Sequence, residues 1–154
     1  MSTTNKHTVD CDANPNMLDG YFEKVFEHKK GGKLNLDMSK VLLYLSPNRS
    51  KFKEYGRLWE KELRSMPVLN ANVLDYLMAH PKLIPDSWKG EKENRDMSHC
   101  ALYVYFWGTI YIDGGGHYNV RFLGWHWEEK KWIDSLVWLD APPSSKSPAA
   151  ILEG

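Results

Sequence analysis

Residues 102 to 139 read LYVYFWGTIYIDGGGHYNVRFLGWHWEEKKWIDSLVWL and hold five of the seven tryptophans in the chain. Three runs rich in β-branched and aromatic residues are separated by the turn signals Asp113 to His117 and Glu128 to Lys131, the pattern of a three-stranded antiparallel meander over about 101–139. Side chains alternate across a strand, so each run carries two surfaces. In the first run Leu102, Val104, Phe106, Ile110 and Ile112 are mostly aliphatic. Tyr103, Tyr105, Trp107, Thr109 and Tyr111 are mostly aromatic and carry hydrogen-bonding tips.

Register decides what joins each surface. With Asp113 to His117 as the loop, Ile112 pairs with Tyr118, and Val120 and Phe122 join the aliphatic face. Asn119, Arg121, Leu123, Trp125 and Trp127 then join the aromatic one, and Gly108 lies opposite Phe122, whose ring can cover the glycine. The polar turn Glu128 to Lys131 pairs Trp127 with Trp132, which places Asp134, Leu136 and Trp138 on the aromatic side and Ile133, Val137 and Leu139 on the aliphatic side. One register thus sorts all three strands, and a slip of one residue would mix them.

A sheet that is apolar on both faces needs two covers, and the preceding segments supply them in an α+β fold of short helices packed on the meander. Asp37 can cap a helix over about 37–45, with Val41, Leu42, Tyr44 and Leu45 inward and Pro47 ending it. A second helix over about 54–65 carries Leu58, Trp59 and Leu63 and stops before Pro67. A third over about 70–79 is capped by Asn70 or Asn72 and ended by Pro81. The last two form an αα-hairpin sized to lie over one face of the sheet.

Residues 17–36 admit two readings. Leu18, Tyr21, Phe22, Val25 and Phe26 recur at helical spacing, with Gly31-Gly32 as a C-cap. Alternatively Val25 to His28 and Lys33 to Leu36 form a hairpin around the same glycines. Residues 1–16 read as a loosely held terminus, 81–88 as a proline-punctuated connector, 89–99 as a charged loop and 141–154 as a flexible tail, which leaves a single domain over 17–140.

The bulk numbers agree with one domain: 154 residues, 42% hydrophobic, 26% charged and 13% aromatic. Twenty basic residues balance twenty acidic ones, so no global field draws a polyanion and nucleic-acid binding needs a local patch. The first ten residues lack the apolar run of a signal peptide, and no stretch of about 18 apolar residues occurs, so a cytoplasmic chain with no membrane partner is expected. Cys11 and Cys100 are then free thiols, and the sequon Asn48-Arg49-Ser50 is a chance match.

The blocks PVLNANVLDYLMAHPKLIPDSWKG at 67–90 and VYFWGTIYIDGGGHYNVRFLGWHW at 104–127 resemble a family of short, uncharacterised bacterial proteins that share PVLNANVLDYL, LIPxxWKG and FWGTIY in this order. The resemblance extends over roughly 21–140 and implies no activity and no catalytic residues. The charged insertion Glu91 to Ser98 and the triple glycine Gly114 to Gly116 depart from the family pattern, the insertion reading as a tolerated surface extension.

Few residues speak for catalysis. Gly114-Gly115-Gly116 lacks the strand-to-helix context and lysine of a P-loop and reads as a hairpin turn. The six histidines lack metal-ligand spacing, so neither a metal nor a cofactor is expected. A thiol site of Cys100, His126 and Asp134 is opposed by the register, which sends His126 and Asp134 to different faces.

The leading expectation is a non-catalytic binding module or adaptor. Tyr103, Tyr105, Trp107, Trp125, Trp127, Trp132 and Trp138 would form an aromatic platform, with Arg121 and Asp134 supplying polarity, for a protein partner or a second copy of the chain. Single-stranded nucleic acid is the alternative, its backbone following Arg49, Lys51, Lys53 and Arg57 while bases stack on the rings. A small thiol or hydrolytic enzyme comes third. The structural counterpart of the platform is a core face covered by the chain itself, with Arg121 stacked on Trp138 or another ring.

Overall fold

The chain runs β1 (Thr8–Asp10), β2 (Phe22–His28), β3 (Lys33–Asn35), β4 (Val41–Tyr44), α1 (Tyr55–Lys61), α2 (Ala71–Ala79), β5 (Tyr103–Tyr105), β6 (Thr109–Asp113), β7 (Tyr118–His126), β8 (Lys131–Trp138) and β9 (Ala149–Leu152) in the computed structural model. The structure describes residues 7–153, so the first six residues of the expected loose terminus lie outside it. Seven strands form one mostly antiparallel sheet, larger than the three-stranded meander expected, and β1 and β3 pair as a separate ribbon.

The meander is present, but its first run is broken. Ile112 pairs with Tyr118 as expected, whereas Tyr105 rather than Gly108 lies opposite Phe122. Residues 106–108 leave the strand line, and three extra residues, an odd number, turn the side chains of β5 over relative to β6. Gly108 shows why the chain must leave: a Cβ there would stand 2.8 Å from the backbone of Asn70. Its N–H donates to the Leu69 carbonyl at 2.9 Å, and its own carbonyl accepts from Lys29 N at 2.6 Å.

This break forks the sheet. β8 pairs with β7 along one edge, while β6 and then β5 share the other. β2 extends the β6 branch; β9 pairs parallel to β5 and carries β4. The β7–β8 register differs by two residues from expectation, Trp125 rather than Trp127 facing Trp132, and an even slip leaves the two faces of this hairpin as expected.

The helices lie on opposite faces, not together on one. Tyr55, Leu58 and Trp59 of α1 pack with Tyr105, Ile110 and Val120, while Val73, Leu74 and Leu77 of α2 pack with Val104, Phe106 and Leu123. The link between the helices runs alongside β9: Val68 bridges to Ile151, Leu69 N–H donates to Ala150 O at 3.0 Å, and Leu152 N–H donates to Pro67 O at 2.9 Å. It occupies the sheet's hydrogen-bonding plane, so the chain enters on one face and leaves on the other. The α2 boundaries follow their signals, with the Asn70 side chain accepting from Asn72 N at 3.0 Å and a proline at 81.

Two segments depart further from expectation. Asp37 caps only a single 3-10 turn at Met38–Lys40, and the following Val41–Tyr44 is a strand rather than a helix because it pairs with β9. Residues 17–36 are neither the helix nor the simple hairpin: β2 pairs with β6, and β3 pairs with β1. Two bulges in β2, between Phe22 and Lys24 and between Val25 and Glu27, lengthen its period and imitate helical spacing. The ends are also built in. Val9, Cys11, Ala149 and Ala150 are buried, against the expectation of a loose start and a flexible tail.

His28 ties the N-terminal segment to this frame. Its Nε2 faces the carbonyls of Cys11 and Ala13, both at 3.1 Å, so Nε2 carries the proton, and Nδ1 accepts from the Thr109 hydroxyl at 2.9 Å. Thr109 Oγ1 in turn accepts from Ala71 N at 2.9 Å, at the start of α2.

Gly108→Ala is expected to cost about 1–3 kcal/mol in urea denaturation, because the added methyl meets fixed backbone. Gly114→Ala, whose Cβ would meet nothing within 4 Å, should change stability little. Burial holds the His28 imidazole below its ordinary value of 6.5, so the unfolded chain takes up the proton first as pH falls. Stability should therefore decline as pH drops below 6.5 toward the lower folded value, and denaturation of His28→Gln across that range should show a shallower decline.

Candidate functional site

The residues expected to form one platform are divided between two faces and largely covered. Because β5 is turned over, Tyr103 and Tyr105 share the face of Phe122, away from Arg121 and Trp125. Tyr105 and Trp107 are buried in the cluster beneath α1, and the Tyr103 hydroxyl donates to Asp96 of the charged loop. On the other face Trp125 meets Trp132 edge-on at 5.2 Å and Trp127 at 6.4 Å. The Lys89 ammonium lies 4.0 Å from the centre of the Trp125 ring and closes that face. Trp138 alone among the nine is largely exposed, at 44%.

Arg121 does not stack on Trp138. Its guanidinium is 2% exposed and binds Asp75 of α2 through both oxygens, at 2.9 and 3.1 Å, and Asp134 of β8 at 2.6 Å. Burial by itself would lower the Arg121 pKa, but the hydrogen bonds to Asp75 and Asp134 carry it above its ordinary value, so the side chain stays charged. Arg121 is therefore a charged pin between α2 and the β7–β8 hairpin. Its Nε and the Asn119 Oδ1 are buried without protein partners.

The exposed aromatic surface lies at the end of the sheet, where a cleft of about 500 Å³ opens between β2, α1 and the β6–β7 turn. Phe26, Tyr118 and Trp138 are 46%, 42% and 44% exposed, and all three line it. Phe26 is the extra residue of the second bulge in β2, a position that re-aims a side chain. It meets Tyr118 edge-on at 4.9 Å and Trp59 at 6.3 Å, while His117 stacks on Trp138 at 3.7 Å. Trp59 also lines the cleft, is 5% exposed, and its indole N–H has no hydrogen-bond partner.

Of the nine platform residues only Trp138 lines this cleft, joined by Arg57 from the basic set. Trp59 falls in a segment that reads as helix, Phe26 in one that reads as helix or hairpin strand, and Tyr118 sits opposite Ile112 of the aliphatic face. The bulge spacing in β2 is the one sequence signal pointing to Phe26, and it was masked by its likeness to a helical period.

The basic residues of the alternative reading divide. Arg49 Nη1 donates to the Ser46 carbonyl at 2.9 Å, whereas Lys51, Lys53 and Arg57 line a shallow groove of about 490 Å³ with Phe52, Glu54 and Lys61. This groove shares Glu54 and Arg57 with the aromatic cleft. The thiol constellation is not assembled. Burial and then Asp96 push the Cys100 thiol up to about 11, Asp134 is engaged by Arg121, and His126 Nδ1 accepts from Glu129 N. Among the described residues no three His, Cys, Asp or Glu side chains converge as metal ligands, and no helix is long and apolar enough to cross a membrane.

Removing Arg121 leaves two carboxylates facing each other across a buried gap, which for a fully buried pair costs about 3–5 kcal/mol. Both carboxylates are about one-third exposed, so Arg121→Gln is expected to lose about 2–4 kcal/mol in urea denaturation. Asp134→Asn should lose clearly less, because Asp75 still holds the guanidinium through two bonds. No protein-family model, no curated protein and no solved structure matches the chain, so its functional reading rests on this geometry.

Proposed function

We propose that this chain is a non-catalytic binding module that receives a protein partner, or a second copy of itself, in the cleft at the end of its sheet. The observation that carries the reading is the convergence of Phe26, Tyr118 and Trp138 on one concave surface floored by Trp59. Exposed apolar surface gathered in one place marks interaction sites, and rings lose little conformational entropy when they bind. The aromatic core faces are then the scaffold that fixes the walls of the cleft, and the charged groups around the opening form a polar rim.

Single-stranded nucleic acid remains the second reading, supported by the Lys51, Lys53, Arg57 and Lys61 groove beside the rings. In that arrangement phosphates lie along the basic groove and bases enter the cleft.

Phe26→Ala and Trp138→Ala test both readings, since both side chains are nearly half exposed and their removal should leave the urea midpoint close to wild type. Self-association in sedimentation equilibrium, or binding of a co-purified protein, is expected to weaken by about tenfold or more in each variant. Unchanged association in both variants rejects the cleft. Quenching of tryptophan fluorescence by a short oligonucleotide, lost steeply with added salt, selects the second reading instead.

A further inference from the structure

We infer that the cleft accepts an arginine side chain from a partner protein, held between its aromatic rings and the paired carboxylates of Glu54 and Asp140. The inference rests on the cleft being the binding site and names what the partner presents to it.

Backbone hydrogen bonds set the segments that carry the two carboxylates side by side. Tyr55 N–H donates to Ala141 O at 2.8 Å and Gly56 N–H donates to Leu139 O at 2.7 Å, so residues 54–56 lie alongside 139–141. Glu54 and Asp140 stand on these facing segments, and both line the cleft. Among the described residues neither carboxylate has a hydrogen-bond or ion-pair partner. The remaining charges at the opening cancel, since Glu60 pairs with Arg57 at 3.2 Å. The cleft therefore combines exposed ring faces with two carboxylates that no cation pairs, Glu54 already partly withdrawn from water, while Lys51, Lys53 and Lys61 line the groove beyond Glu54.

That combination selects among occupants. An aromatic face attracts a cation through its quadrupole, and a carboxylate pair attracts it through charge. A neutral apolar side chain would desolvate both carboxylates without replacing their water. A phosphate would meet two like charges. The chain already shows the favourable arrangement on its own surface, where the Arg64 guanidinium lies 4.8 Å from the Trp59 ring centre and 2.6 Å from Glu27. Arginine fits better than lysine, because a planar guanidinium can stack on a ring while its fork of donors reaches two separate carboxylates.

The test uses the full chain and a blocked five-residue peptide with one arginine among glycines, compared with the same peptide carrying citrulline, the neutral isostere, or glutamate. Indole N–H signals in nuclear magnetic resonance report each tryptophan separately. The arginine peptide is expected to move the signals of Trp59 and Trp138 while those of the buried Trp88 and Trp107 stay in place. The citrulline and glutamate peptides should bind at least about tenfold more weakly. Glu54→Gln combined with Asp140→Asn, both at the rim, should keep the urea midpoint and lose about tenfold or more in affinity for the arginine peptide. Equal binding of arginine and citrulline, or undiminished binding by the double variant, overturns the arginine inference and leaves the cleft as the binding site. Cleft signals that ignore the arginine peptide at millimolar concentration but follow an oligonucleotide overturn it in favour of nucleic acid. Partner binding that survives both Phe26→Ala and Trp138→Ala removes the cleft itself, and the inference with it.

Discussion

The passage of Gly108 against Asn70 constrains most of the architecture. At that point the N-terminus of α2, the carbonyl of Leu69 and the backbone of Lys29 all approach within hydrogen-bonding distance of the strand, and no side chain fits between them. The strand gives way over three residues and resumes inverted. From this inversion follow the fork of the sheet, the separation of the tyrosines of β5 from the tryptophans of β7, and a slot beside β9 that the link between the helices fills. With that link in the plane of the sheet, one helix covers each face, and both apolar surfaces are closed by the chain's own short helices.

Closing both faces leaves the polar residues within them to be neutralised internally. Arg121 is buried, and it is held by two carboxylates arriving from different layers, Asp75 from α2 and Asp134 from β8. The triad carries one excess negative charge, relieved by the partial exposure of both acids. Such a pin contributes more to fixing the position of α2 over the hairpin than to net stability, since a buried pair recovers little beyond its own desolvation. At the end of the sheet the cover thins: Phe26 at the second β2 bulge and Tyr118 beside the β6–β7 turn touch each other beside α1 and remain nearly half exposed.

What could be read from the sequence was local. The Ile112 and Tyr118 pairing, the two faces of the β7–β8 hairpin and the Asn70 cap of α2 each depend on neighbours within a few residues. The misread parts depend on distant partners. Val41 to Tyr44 becomes a strand because Ala149 to Leu152 lies beside it, and a period of four residues carries no trace of that. Phe22, Val25 and Phe26 look helical because two bulges stretch a strand's alternation toward a helix's. Trp125, Trp127, Trp132 and Trp138 share one face as their alternation implies, while the break at 106–108 carries Tyr103, Tyr105 and Trp107 to the other; alternation tells which side chains share a surface and not whether another layer covers it. Trp59 and Phe26 enter the cleft from segments remote from the meander, a convergence visible only once the sheet is assembled.

The place of β9 also bears on how the chain reaches this state. It lies between β4 and β5 and bonds to the link between the helices, so contacts more than a hundred residues apart in sequence close the centre of one branch of the sheet. Such closure is slow compared with forming α2 or the β7–β8 hairpin, because the loop entropy is lost before the long-range contacts form. A nascent chain that has released everything through β8 still presents the bare edges of β4 and β5. Until residues 149–152 emerge, those edges are open to pairing with other chains.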